Sequence, residues 1–169
     1  MNNRPPKDAP VTEVASPACW MQEANDVYMG YADKDELIIF CNELLEAERA
    51  GSRVTLETAH AAGSGPLAEL MKTIQRDEAR WCAMLLHHIK TRGGTPSSKV
   101  GAFYDKAMAI PDLSERIAFL NRGQHWVVRK LREMLSRVRD QELHADLTKM
   151  LQSHEVNISL AAEFAVRTP

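Results

Sequence analysis

Apolar residues recur at three- and four-residue spacing in four long stretches of the chain, the period of an α-helix with one buried face. The first runs from near Asp33 to about Ala62 through Leu37, Phe40/Cys41, Leu44/Leu45, Glu48, Ser52 and Thr55/Leu56. Asp33 or Asp35 is placed to cap its free amides. Gly63-Ser64-Gly65-Pro66 breaks the pattern, and Pro66 suits the first turn of the next helix. That second helix carries Leu67, Leu70/Met71, Ile74, Glu78, Trp81, Leu85 and His88/Ile89, and stops at Arg92-Gly93-Gly94. Residues 93–112 form the longest connection, with a short helix predicted through Phe103, Tyr104, Ala107 and Met108. Pro111-Asp112-Leu113-Ser114-Glu115 opens the third long helix. Its stripe is Ile117, Leu120, Gln124, Val127/Val128, Leu131, Met134/Leu135 and Val138. After a tight joint at Arg139-Asp140, the fourth runs through His144, Leu147, Leu151, His154, Ile158 and Ala161.

The joints constrain the topology. The first and last are short, so each flanking helix pair is antiparallel. The middle link is long enough to travel the length of the helices and make the second and third parallel. Each long helix covers roughly 25 residues, about 38 Å at 1.5 Å per residue. The fold class expected is all-α: a four-helix bundle of two antiparallel hairpins with a long crossover, over residues 33–169. It is preferred over a globin-like or three-helix arrangement. Residues 1–32 read as a mostly irregular N-terminal arm, rich in proline before Cys19. Cys19-Trp20-Met21, Tyr28-Met29 and Tyr31 make it too apolar for a purely solvated tail. It is expected to lie against the bundle or to dock on a partner.

Four polar side chains interrupt the apolar stripes. Glu48 and Glu78 are thirty residues apart, and so are Gln124 and His154. Each pair straddles a turn near its midpoint, so antiparallel hairpins would bring all four to one height in the interior.

The local text around these positions resembles a known family. Asn42-Glu43-Leu44-Leu45-Glu46-Ala47-Glu48-Arg49-Ala50-Gly51 resembles the first helix of the ferritin-like superfamily. Asp77-Glu78-Ala79-Arg80-Trp81-Cys82-Ala83-Met84-Leu85 is similar to its second, rubrerythrin-type helix, where Glu-x-x-His is common. Ser153-His154-Glu155-Val156-Asn157-Ile158 resembles the fourth helix. The similarity spans about residues 34–166 and points to a bacterial ferritin-like family with an incomplete di-iron motif. Di-iron members take a Glu from each of two helices and Glu-x-x-His from each of the other two. Glu48 matches the first-helix Glu, Glu78 the bridging Glu and His154 the fourth-helix histidine. Trp81 stands where a histidine would follow Glu78, and Leu151 stands where a Glu would precede His154. Gln124, a weak neutral ligand, takes the third-helix level.

The layer therefore has two chemical readings. In one, Glu48, Glu78 and His154 hold a single Fe, Mn or Zn ion, with Gln124 or water completing the shell. In the other it is a hydrogen-bonded layer without metal. Buried carboxylates then need a donor or a proton, because an unpaired one costs several kcal/mol. Gln124, protonated His154 and the Trp81 indole can donate. Arg49, Arg76 and Arg122 are placed to reach inward, and two adjacent carboxylates can share a proton.

Composition narrows the classes. The chain has 169 residues, 44% hydrophobic and 26% charged, with 21 basic against 23 acidic side chains. Nearly balanced charge gives no bulk attraction to nucleic acid or membrane, and no apolar run is long enough to span a bilayer. The N-terminus lacks the apolar core of a secretory signal, so a cytoplasmic protein is expected. Cys41 and Cys82 lie in helical patterns and read as reduced core residues. His87-His88 read as cations complementing a helix C-terminus. His60, His125 and His144 read as surface or boundary residues. Arg129, Lys130, Arg132, Arg137 and Arg139 read as a solvated face paired with Glu133, Asp140 and Glu142. No phosphate-binding motif or nucleophile–base arrangement is present. Two functions compete: a non-catalytic accessory or interaction protein, paired with itself or with a partner through the arm, and a metal-dependent oxidoreductase or oxygen- or peroxide-handling protein.

Overall fold

Carboxylates set where three of the long helices begin. In the computed structural model, which describes residues 27–167, Asp33 Oδ1 accepts the Glu36 N–H at 2.8 Å and opens α1 (Lys34–Ala62). Gly63, at φ 70°, ends it in a conformation that side chains with a Cβ resist. Pro66 occupies the first turn of α2 (Pro66–Thr91), where no amide bond is lost. After the short α3 (Phe103–Met108), Asp112 caps α4 (Leu113–Leu135) through the Glu115 N–H at 2.8 Å. Asp140 caps α5 (Gln141–Arg167) through the Leu143 N–H at 2.9 Å. The described residues contain five helices and no strand, so the all-α expectation holds.

Cross-helix bonds give the directions. Gln75 on α2 donates to Ser52 on α1, while the far end of α2 leads to Thr95, which accepts from Asn42. On the other pair, Asn121 of α4 donates to the Ile158 carbonyl of α5. Both pairs are therefore antiparallel. Glu36–Arg137 and Glu43–Lys130 ion pairs run α1 against α4 in the opposite sense as well, which makes α2 and α4 parallel. The crossover reaches this arrangement by lying along α1. The Ser97 amide donates to Asn42 at 2.6 Å, Arg49 donates to the Ser97 carbonyl, and α3 then packs on α1 and α4.

Two separate apolar clusters fill the interior. One gathers Leu44, Leu45, Trp81, Leu85, Leu131, Leu147 and Met150; the other gathers Val54, Met71, Ile74, Ile117, Leu120 and Ala161. Along every long helix, the expected polar residue falls between them. Burying each Leu, Ile or Met contributes about 1.5–3 kcal/mol.

In the stripe predicted for the fourth helix, Leu147, His154 and Ala161 are buried as expected and the other three positions are out of phase. Leu143, Leu147, Met150, His154, Asn157 and Ala161 face inward, whereas His144 is exposed and Leu151 and Ile158 are half-buried. On α1, Gly51 and Val54 are buried in place of Ser52 and Leu56. The arm up to residue 26, including Cys19-Trp20-Met21, lies outside the described residues. Its described end is tied down by the Ala32 amide, which donates to the Arg137 carbonyl at 2.9 Å, while Tyr28 stands exposed. No helix among the described residues is long and apolar enough to cross a membrane.

Candidate functional site

Glu48 on α1, Glu78 on α2, Gln124 on α4 and His154 on α5 meet in one buried layer, each 4% exposed or less. They form a chain. The Gln124 amide Nε2–H donates to Glu78 Oε1 at 2.8 Å, and Gln124 Oε1 lies 2.5 Å from His154 Nδ1. Because that oxygen only accepts, Nδ1 carries a hydrogen. His154 Nε2 then faces Glu48 Oε1 at 3.2 Å.

This last contact is close enough for an ion pair but misaligned for a hydrogen bond. His154 Nε2 and Glu48 Oε2 are both buried without a hydrogen-bond partner. With Nδ1 as the donor to Gln124, a neutral ring turns a lone pair toward a carboxylate. Two such facing acceptors call for a proton or another cationic group between them. The Trp81 indole N–H is the third unpartnered buried atom among the described residues. It belongs to the residue that stands where a second imidazole was expected, and Arg80 covers its ring at 4.2 Å.

Glu78 sits in a fitted recess. A Cβ at Gly51 would lie 2.6 Å from Glu78 Oε1, so glycine on α1 makes the room for this carboxyl. Burial first, and the neighbouring Glu48 charge next, hold its pKa well above the usual carboxylate range. Thr55 Oγ1 lies 3.3 Å from Glu78 Oε2 and 2.9 Å from the Gly51 carbonyl. The Thr55 hydroxyl has one hydrogen for the Gly51 carbonyl and Glu78 Oε2, and its bond to the carboxyl works against the two causes that raise the pKa. Behind the layer, Ser153 and Asn157 of α5 donate to Asp77 of α2.

A cavity of about 480 Å³ opens on this layer. Ala47, Ala102, Phe103, Phe119, Leu120 and Val127 supply apolar wall, and Glu48, Glu78, Gln124 and His154 line its polar part. Glu43, Glu46 and Arg122 also line it. Phe103 stacks on Phe119 with centroids 4.8 Å apart, in a position that a Cβ on Gly123 would obstruct at 2.7 Å.

All four residues expected in the layer are brought together. The arginines expected to reach them bond elsewhere: Arg49 holds the crossover, exposed Arg76 bonds Thr73, and Arg122 lies 5.2 Å from the Phe119 ring. The described residues contain no group of three or more His, Cys, Asp or Glu side chains arranged to hold a metal ion. Gln124 stands between Glu78 and His154, and Trp81 and Leu151 remove two donors of the di-iron pattern. The donor set of a two-iron centre is therefore not assembled. Thiol chemistry is also disfavoured, because burial pushes Cys41 up to about 11 and Cys82 up to about 12. Both cysteines are free.

Sequence reasoning missed Thr55's role, the Gly51 recess and the cavity. It also missed a second network at the far end of α2. His88 is 2% exposed and bonds Asp146 at 3.0 Å. Arg92 contacts the other His88 nitrogen at 3.1 Å and Asp140 at 2.6 Å. His88 thus lies in the last turn of α2 as expected but is buried and ties α2 to α5; its neighbour His87 is exposed, as are His60, His125 and His144. On the basic face of α4 Lys130 pairs with Glu43 and Arg132 with Glu155, and just past its end Arg137 pairs with Glu36, acidic residues other than those expected.

The family described as "Domain of unknown function (DUF6306)" matches residues 35–163, and the chain belongs to it. No curated protein and no solved structure matches.

Proposed function

We propose that this member of the DUF6306 family is a non-catalytic accessory protein on a ferritin-like scaffold, its interior layer held by hydrogen bonds and protons in place of metal ions. The observation that carries this is the Gln124 carboxamide, which bonds Glu78 on one side and His154 on the other. A carboxamide so placed joins Glu78 to the Glu48–His154 pair as a neutral relay. Parallel α2 and α4, joined by a crossover along α1, support the ferritin-like assignment. Free Cys41 and Cys82 accord with a reducing cytoplasm. Self-association, or a partner held by the arm, belongs to the same proposal.

One observation favours the competing reading, a metal-dependent oxidoreductase: the unpartnered His154 Nε2 and Glu48 Oε2 are both potential ligands. Elemental analysis of untagged protein, produced with Fe, Mn and Zn supplied, separates the two. The accessory reading expects no stoichiometric metal and a melting temperature indifferent to a strong chelator. An ion present in proportion to the chain and lost in Glu48→Ala and His154→Ala would overturn it.

A further inference from the structure

We propose that the cavity between α1, α3 and α4 binds a small primary ammonium with an apolar, aromatic-sized body, its head seated on Glu48 and His154. Seating it here presupposes the metal-free layer proposed for the function. The walls and the polar end ask for different things. Ala47, Phe103, Phe119 and Val127 give an apolar sleeve, and about 480 Å³ lies within the usual range of roughly 300–1,000 Å³ for small-ligand pockets. At its end, two buried side chains that line the cavity carry atoms without a partner. One is a carboxylate oxygen, which only accepts. The other is an imidazole nitrogen whose opposite ring position already donates to Gln124. An ammonium brings several donors and a positive charge, and so completes both acceptors at once. A hydroxyl brings one donor and no charge. An anion would meet Glu48 directly and pass Glu43 and Glu46, which line the same cavity; among the described residues Arg122 is the one lysine or arginine lining it. With Glu43 paired to Lys130 and Glu78 protonated, Glu46 and Glu48 against Arg122 still leave an acidic balance that selects cations.

The test uses three probes of similar size: phenethylammonium, phenethyl alcohol and phenylacetate, each titrated calorimetrically into full-length protein treated with chelator. Phenethylammonium is expected to saturate one site, about tenfold or more tighter than the alcohol, with no binding of phenylacetate. Glu48→Gln should erase the preference for the amine over the alcohol. Ala47→Phe, which fills the sleeve and leaves the four polar side chains in place, should abolish binding of both. Circular dichroism and thermal melting report whether each variant is folded. If Glu48→Gln fails to fold, the probe series and Ala47→Phe still decide. The proposal is overturned if the amine binds no tighter than the alcohol, if phenylacetate binds best, if no probe saturates, or if folded Ala47→Phe binds unchanged. Metal content is measured on the same sample. Failure of the amine in metal-free protein sinks the ligand alone, whereas a stoichiometric ion sinks the metal-free layer beneath it.

Discussion

Glu78 shows what the environment of one residue does to the stability of the molecule. Its carboxyl is held protonated beyond the ordinary range, chiefly by burial and then by Glu48. The unfolded chain releases this proton near the normal Glu value, about 4.3, while the folded chain retains it. As pH rises above that value, the folded state binds more protons than the unfolded one, so stability falls until the raised pKa is passed. Glu78→Gln removes the effect. Its urea-unfolding stability should decline less with rising pH than that of the parent, and equal slopes would refute the assignment. Gln124 gives a second check. Gln124→Leu conserves volume but strips Glu78 and His154 of their shared partner. A loss of about 2–4 kcal/mol is expected in urea unfolding, the cost of leaving buried polar groups unpaired. The identity and level of these residues were legible in the sequence, because polar positions on an apolar stripe stand out. Gly51 and Thr55 were not, because periodicity reports which face a residue occupies and says nothing of what crosses the gap from the next helix.

At the scale of the helix, the ends were the most readable features. Asp33, Asp112 and Pro66 occupy the positions that unpaired amides favour, and the helices begin there. The phase of α5 was not readable. His144 and Leu143 are adjacent, and both fit a three-four pattern with Leu147; only the register against α2 and α4 selects Leu143. Asp140 fixes that register from outside. It caps α5 through the Leu143 amide and also bonds Arg92 at the end of α2. The amide bond, first among the causes, lowers the Asp140 pKa. Its contribution is therefore present above the unfolded Asp value, about 3.9, and fades as pH falls through the folded one, the opposite sense to Glu78. Asp140→Ala should cost about 0.5–2 kcal/mol at neutral pH, the range for a lost cap. The difference from the parent should shrink in acid. A constant difference across that range would show that the carboxylate charge plays no part.

Across the whole molecule, the polar layer divides one core into two clusters, and the division has a measurable consequence. A continuous apolar interior would bury more surface and leave no acceptor unpaired. Among the described residues three buried atoms lack hydrogen-bond partners as the layer stands, and two of them belong to side chains that line the cavity. Replacing buried polar networks with apolar residues of similar volume is commonly neutral or stabilising by about 1–4 kcal/mol. Met suits both acidic positions because it is unbranched and of similar length, and Leu suits Gln124 and His154. The combined variant Glu48→Met, Glu78→Met, Gln124→Leu, His154→Leu should unfold at higher urea than the parent, with an unchanged m-value. It should also lose the stability decline above the carboxylate range and all preference for phenethylammonium. A gain in stability with that loss would mean the layer is kept for what it binds, at the expense of the fold. A clear fall in stability, or a shallow transition, would mean instead that the four polar groups specify how the helices register against one another.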